Sequence, residues 1–588
     1  MGIVALFAAI SASRQTSAQQ DINRALLDAA DRGELAAVDD LLRKGADPNT
    51  FDRENFATPL RRAVYQGHLK IIEELLDWGA DPRVGGTVVI DETVYKKRED
   101  VARLLMSRGV DINERDSNGT PTLERQLWGT PADHPLSQVE DIAFLLKLGA
   151  DPNAQSPGGI TALMMVAGRF AMSEGAEETK AVVAMMRLLL KSGARVETED
   201  DIGATALIHA MDGGTLSAIK VLTEAGANIN HQNKNGMPPL LMALQRRDRD
   251  GRIDYLLGHG ANVKIKDKEG MTSVMAATRQ GYLKHLSLFL QRGVDPNART
   301  QSGRTAAHSA AAYYNFNSPY DNLTEDKKDR ATAVDMLRVL AQAKADLTAA
   351  DNEGFTPMHV AARAGYTETL RFLLDRGGNQ NQLNAKGETP VFLTIGAILD
   401  GFPKLKLLVS KGANVNTPNI ERTTPLMLAA MTRNRGMLMY LLGQKADPNA
   451  TDKTELTALN VASAIIGEQS VDPRDYAAMT TALASSMSSV DQRDRSGMTP
   501  LMWAAISNIP DALTPLLKKG ADINARSGDG RSPLMWAACA NADRTIPELL
   551  NHSADRSAKD NNGRTALDWA RALDQPVAKL LESQLRTP

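Results

Sequence analysis

This sequence predicts an all-α solenoid of stacked helix-turn-helix units, on three observations. A phrase of the form Gly-Ala-Asp/Asn-x-Asn returns with variations, its Asp/Asn at Asp47, Asp81, Asp111, Asp151, Asn228, Asn262, Asp295, Asp346, Asn379, Asn414, Asp447, Asp522 and Asp555; six of the intervals are 33 or 34 residues. About eleven residues later comes a second phrase, at Thr58-Pro59-Leu60, Thr356-Pro357-Met358, Thr424-Pro425-Leu426, Thr499-Pro500-Leu501 and Ser532-Pro533-Leu534, with Thr-Ala-Leu variants beginning at Thr161, Thr205, Thr457 and Thr565. Aromatic residues are only 4% of the chain, so any core is built mainly from aliphatics, Ala and the 23 Met. Self-similarity at this period marks an architecture in which each unit buries its apolar face only against its neighbours.

The unit from Asn352 shows why each of its elements forms. Thr356 is a good N-cap, and Pro357 suits the first helical position, where no backbone donor is needed. Ala361 and Ala362 are small enough for neighbouring helices to approach closely. Gly365 breaks this helix, and Thr367 to Asp375 places Leu370, Leu373 and Leu374 on one face of a second. Gly377 ends that helix in the left-handed position, and the Asn- and Gly-rich stretch up to Gly387 reads as an extended turn to the next cap.

These residues resemble the ankyrin repeat, whose pattern is Thr-Pro-Leu-His-x-Ala-Ala and then Leu-Leu-x-x-Gly-Ala-Asp-x-Asn. The resemblance covers about residues 21–588 in some sixteen copies and implies an ankyrin-repeat solenoid with short β-turn or hairpin connections. It also implies that His308 and His359 are framework residues bracing the Thr at the cap. Where Met427, Met502 and Met535 take that place, the brace is expected to be lost.

Along the chain, residues 1–18 come first. Ile3 to Ala12 is a compact apolar run, and Thr16-Ser17-Ala18 before Gln19 has the small-x-small form of a signal-peptidase site, although Arg14 is the first charge and follows the run. The expectation is a signal peptide over 1–18 and a periplasmic or secreted protein; otherwise the protein is cytoplasmic. Residues 84–97 lack a Thr-Pro cap and form the most degenerate copy. Four copies are stretched, and the extra residues are placed between the two helices, near 129–137, 173–179, 315–330 and 467–475. Trp503, Trp536 and Trp569 recur at 33-residue intervals, and we read them as mostly buried core residues joining the last repeats. Cys539 reads as a small buried thiol.

Composition then limits function. Lys+Arg is 68 and Asp+Glu 71, a net charge of −3, which argues against holding nucleic acid by bulk electrostatics. One cysteine excludes an intrachain disulfide and any multi-cysteine metal site. The nine histidines form no metal-ligand spacing, and there is no Gly-x-Ser-x-Gly elbow, phosphate-binding loop or dinucleotide fingerprint. No cofactor is expected, no stretch is long and apolar enough to span a membrane, and the protein is expected to be monomeric.

What the resemblance implies is a non-catalytic scaffold that binds a protein partner through its turn tips and concave groove. Two alternatives stand beside it: a secreted effector or toxin-like factor that engages a foreign protein, and a hydrolase using an inserted loop. The partner site is placed on the central repeats. Tyr313, Tyr314, Phe316 and Tyr320 would anchor it, since aromatics dominate interface hot spots. Lys268, Glu269, Arg279, Gln280, Asn352, Glu353 and Arg363 would form a polar rim. The competing reading has the insertion folding back, with its rings hidden on adjacent repeats.

Overall fold

The computed structural model describes residues 19–52, 57–84, 89–127, 135–169, 177–245, 251–312, 332–397, 400–464 and 473–585. Their helices fall into sixteen consecutive pairs, and the only β-pairing among the described residues is three isolated bridges, such as Gln155 with Thr161. The chain divides into two compact units, Met1–Ser273 and Val274–Pro588. Within each, first helices pack on first helices and second helices on second, as Pro500–Ile506 does on Pro533–Cys539 and Pro473–Ser486 on Pro510–Lys518.

The cap phrase works through two reciprocal bonds. Thr356 is extended (φ −96°, ψ 166°), and its hydroxyl accepts from the His359 N–H at 3.4 Å. His359 Nδ1 in turn accepts from the Thr356 N–H at 3.1 Å, which closes a capping box. The other ring nitrogen of His359 reaches Glu388 O at 3.2 Å, and that of His308 reaches Phe355 O at 2.8 Å, so each ring also bonds the next repeat. Burial lowers the pKa of both rings, and the neutral form is the one that accepts at Nδ1 while donating from Nε2. Contrary to the sequence expectation, methionine does not lose the brace. The sulfurs of Met427, Met502 and Met535 stand 3.4–3.5 Å from the N–H of Thr424, Thr499 and Ser532. A thioether is a weak acceptor, but the unbranched side chain reaches the same donor.

The Asp-x-Asn phrase ties repeat to repeat. Asp47 Oδ1 accepts from the Asn49 N–H, which fixes the local turn. Asn49 then spans to the next repeat, accepting from the Asp81 N–H at 2.6 Å and donating to Gly79 O at 3.0 Å. Asn153, Asn230, Asn297 and Asn416 do the same for their successors. The turn tips form a second tie: Ala385 N–H donates to Glu353 O at 2.8 Å, and Ile420 N–H to Lys386 O at 2.9 Å.

Several expectations need correction. Second helices with the usual spacing hold seven to ten residues, nine in Leu69–Asp77, but Pro135–Lys147, Glu177–Lys191 and Pro473–Ser486 hold 13, 15 and 14. The C-terminal ends of three of the expected insertions are therefore helix, because a second helix can grow at its N-terminus without disturbing the stacked first helices. The rest of those three insertions, and all of 315–330, lie outside the described residues, as do residues 1–18. Leu370 and Leu373 are buried, while Leu374 is half-buried at the edge of the same face.

Trp503, Trp536 and Trp569 are half-buried and not core. Their indole N–H groups donate to Asp494 Oδ2 at 3.0 Å, Ser527 Oγ at 3.2 Å and Asp560 Oδ2 at 2.8 Å. An indole carries a donor that needs a partner, and these find it on buried polar side chains of the turn preceding their own helix. Trp503 and Trp536 pack on Met498 and Met502, and the Arg531 guanidinium lies 4.7 Å from the Trp536 ring and 3.8 Å from that of Trp569. Cys539 is likewise half-buried, with its thiol pKa raised by burial.

Candidate functional site

In most repeats the first helix buries the cap and the residues three, five and six places on, and it leaves the fourth and seventh less covered. In Pro357–Ala364 the half-covered residue is Val360 and the exposed one Arg363; in Pro425–Met431 they are Leu428 and Met431. Residues three apart lie on one side of an α-helix, so within each unit the two positions share one side of its first helices. On it stand His209, held to Asp200 at 2.8 Å as Trp503 is held to Asp494, and the three tryptophans. In the N-terminal unit the same face carries Tyr65 and Tyr95, stacked with ring centres 6.1 Å apart, with Lys96 Nζ 4.0 Å from the Tyr65 ring.

Within the C-terminal unit a cavity of about 300 Å³ opens on this face. Leu393, Leu428 and the largely buried Phe392 floor it, and Phe355 lies alongside. Gly396 takes the seventh position, where the flanking repeats have Arg363 and Met431, so its missing side chain leaves a notch one repeat wide. Arg363 and Lys386 line it as exposed cations and form no ion pair among the described residues. The Glu388 carboxylate at the same wall accepts from Asn384 Nδ2 at 2.8 Å. The arrangement offers apolar surface and positive charge, and no nucleophile set against a base stands among its lining residues. Among the described residues no group of three His, Cys, Asp or Glu side chains could hold a metal ion, and no helix is long and apolar enough to cross a membrane.

The residues picked from sequence are dispersed. Tyr313, Tyr314, Phe316 and Tyr320 lie outside the described residues. Lys268 and Glu269 are exposed on a turn tip of the N-terminal unit, with Lys268 N–H bonded to Asn235 O. Arg279 and Gln280 end the helix Ser273–Gln280. Asn352 is exposed on its turn tip, where its Nδ2 donates to Gln301 O of the preceding repeat at 2.8 Å. Glu353 is exposed on the same tip. Arg363 alone of the set lines the cavity. Sequence reasoning missed Lys386, Phe392, Leu393, Gly396 and Leu428. The available signal was Gly396 at a position where the two flanking repeats carry Arg363 and Met431, with Phe392 in the place of the bracing histidine.

Comparison with known proteins agrees with this architecture. The family profile described as "Ankyrin repeats (3 copies)" matches residues 23–116, 137–233, 176–267, 240–319 and 329–419. "Ankyrin repeats (many copies)" matches 408–462, and "Ankyrin repeat" matches 496–528 and 529–561. Similar curated proteins include E3 ubiquitin-protein ligase KEG of Arabidopsis thaliana, 27% identical over 44% of this chain and 15% of that protein. SH3 and multiple ankyrin repeat domains protein 2 of Homo sapiens is 32% identical over 30% of this chain and 9% of its own length. Ankyrin repeat and SOCS box protein 16 of Mus musculus is 29% identical over 36% and 45%. The chain thus spans less than half the length of each of these relatives. With the period, the capping boxes, the Asn ties between repeats and profile matches over most of its residues, the chain belongs to the ankyrin-repeat family.

Proposed function

We propose that this protein is a non-catalytic interaction scaffold that holds a segment of a partner protein on the face of its first helices, centred in the C-terminal unit on the notch at Gly396. The observation that carries this reading is the cavity itself: an apolar floor open to solvent beside two cations with no ion-pair partner among the described residues. Ankyrin repeats generally mediate protein–protein contact, which is consistent with it. The ligase named among the relatives is similar over 15% of its length, so its activity is not carried over.

Cross-linking followed by affinity purification of the full chain tests the proposal. The wild type is expected to retain a partner that the Arg363→Glu, Lys386→Glu double variant releases. Lys406→Glu, on the second helix Gly401–Ser410, should retain it. A partner held equally by all three forms would place the interaction elsewhere.

A further inference from the structure

The chemistry of the notch narrows what it accepts. We infer that it takes one apolar side chain from an extended partner segment in which Asp or Glu stands next to that side chain. The inference rests on the scaffold reading above and specifies its ligand.

Three features point there. First, the space is real and is not needed by the backbone. Gly396 has φ −94°, which any residue adopts, and a Cβ built on it would meet nothing within 4 Å. A glycine retained for its conformation would have φ > 0, as Gly387 does at +72°. Second, the floor is apolar: Phe392 is 6% exposed, and Leu393 and Leu428 are half-covered, so an aliphatic or aromatic side chain seated on them is withdrawn from water together with them. A volume of about 300 Å³ sits at the bottom of the range for small-molecule pockets and suits one or two side chains. Third, the charge is net positive. Arg363 and Lys386 lack ion pairs among the described residues, against one acid on the wall, Glu388, whose carboxylate accepts from the neutral Asn384 amide. A carboxylate brought in beside the apolar side chain on the side of Arg363 and Lys386 meets a net attraction, and a lysine brought in there meets a net repulsion.

The test measures fluorescence anisotropy of labelled heptapeptides on the full chain at low salt. The probe is Ser-Gly-Asp-Leu-Glu-Gly-Ser; one control replaces Leu with Ser and another replaces both acids with Lys. The probe is expected to bind at least about tenfold more tightly than either control, a typical return for a filled apolar pocket or a matched charge. Gly396→Leu, which fills the notch from within, should weaken the probe at least about tenfold while the far-UV spectrum and unfolding midpoint stay unchanged; Gly396→Ala should have a smaller effect in the same direction. Arg363→Ala with Lys386→Ala should remove the preference for acids and keep the preference for Leu. Equal binding of the lysine peptide, indifference to Gly396→Leu, or no binding of the probe overturns the inference. If the probe fails while the Glu double variant still releases a cross-linked partner, the ligand chemistry is wrong and the scaffold reading stands. If that release fails too, both fall.

Discussion

Glu124 and Lys404 are buried charges of opposite sign in different units, each placed where a repeat has departed from the common pattern. Glu124 holds the third helical position after Pro121, the place of the bracing histidine in other copies. Pro121 has no N–H to offer, and burial of the Glu124 carboxyl outweighs the opposing influence of Ser156 and Arg115 nearby, pushing its pKa up to about 7. A carboxyl protonated in the folded state stabilises at low pH, and that stability is lost as pH rises from about 4.5 through about 7. The shift corresponds to about 3 kcal/mol. Glu124→Gln should therefore match the wild type near pH 5 and exceed it in unfolding midpoint at pH 8. Lys404 is buried at the end of the preceding first helix, where its amine donates to Gly365 O at 3.0 Å. Nearby Asp400 favours the charged form, but desolvation outweighs it and lowers the pKa to about 8. The folded state then binds fewer protons than the unfolded one, so stability rises with pH between about 8 and 10.5, again by about 3 kcal/mol. Lys404→Met should flatten that rise in chemical unfolding followed from pH 7.5 to 10.5. A Lys404→Met profile parallel to the wild type would show the amine to be solvated.

Between single residues and the whole chain stand the first helices of the last three repeats, whose tryptophans, Arg531 and Met498 interleave in one stack. Arg564 continues it, 4.8 Å from the Trp569 ring. Each indole closes its own turn through its N–H and covers a neighbour with its ring, so it serves two repeats at once. Truncating a fully buried Trp costs about 3–5 kcal/mol; for these half-buried rings about 2 kcal/mol is expected of Trp536→Ala. In a nearest-neighbour stack the loss should appear in the transition of the C-terminal repeats and leave distant ones alone. Differential scanning calorimetry would show the low-temperature shoulder this predicts. A uniform shift of the whole endotherm would mean that the ring couples beyond its neighbours.

At the scale of the molecule, the helix contacts within each unit run between adjacent repeats. Cooperativity should consequently be incomplete. Three of the five tryptophans lie between residues 503 and 569, whereas helix is spread along the whole chain. Guanidinium unfolding followed by tryptophan fluorescence should therefore not superimpose on the same titration followed by far-UV circular dichroism. Coincident curves would show that the chain unfolds as one cooperative body.

How much of this was legible in the sequence follows from what each feature depends on. The helix pairs were, because caps, glycine stops and apolar spacing are local, and a period of 33 or 34 residues repeats them until chance is excluded. The Asp-x-Asn phrase was visible as a pattern, but its purpose was not: Asn49 bonds Asp81 and Gly79, some thirty residues away, and only stacking brings them within reach. The tryptophans were misread as core because their spacing fixes a register on the helix and not the depth at which that register lies. Depth was decided by the turn before each helix, where the buried side chains of Asp494, Ser527 and Asp560 take the indole N–H groups and the rings are left half-covered. The notch escaped notice for a related reason. A sequence shows the residues that are present, while the cavity at Gly396 is made by a side chain that is missing between Arg363 and Met431, over a floor drawn from two repeats. Sequence alone determined the unit and its repetition, since both are written within one period. Tertiary structure decided which surfaces remain open, since exposure belongs to the packed stack and to no single repeat.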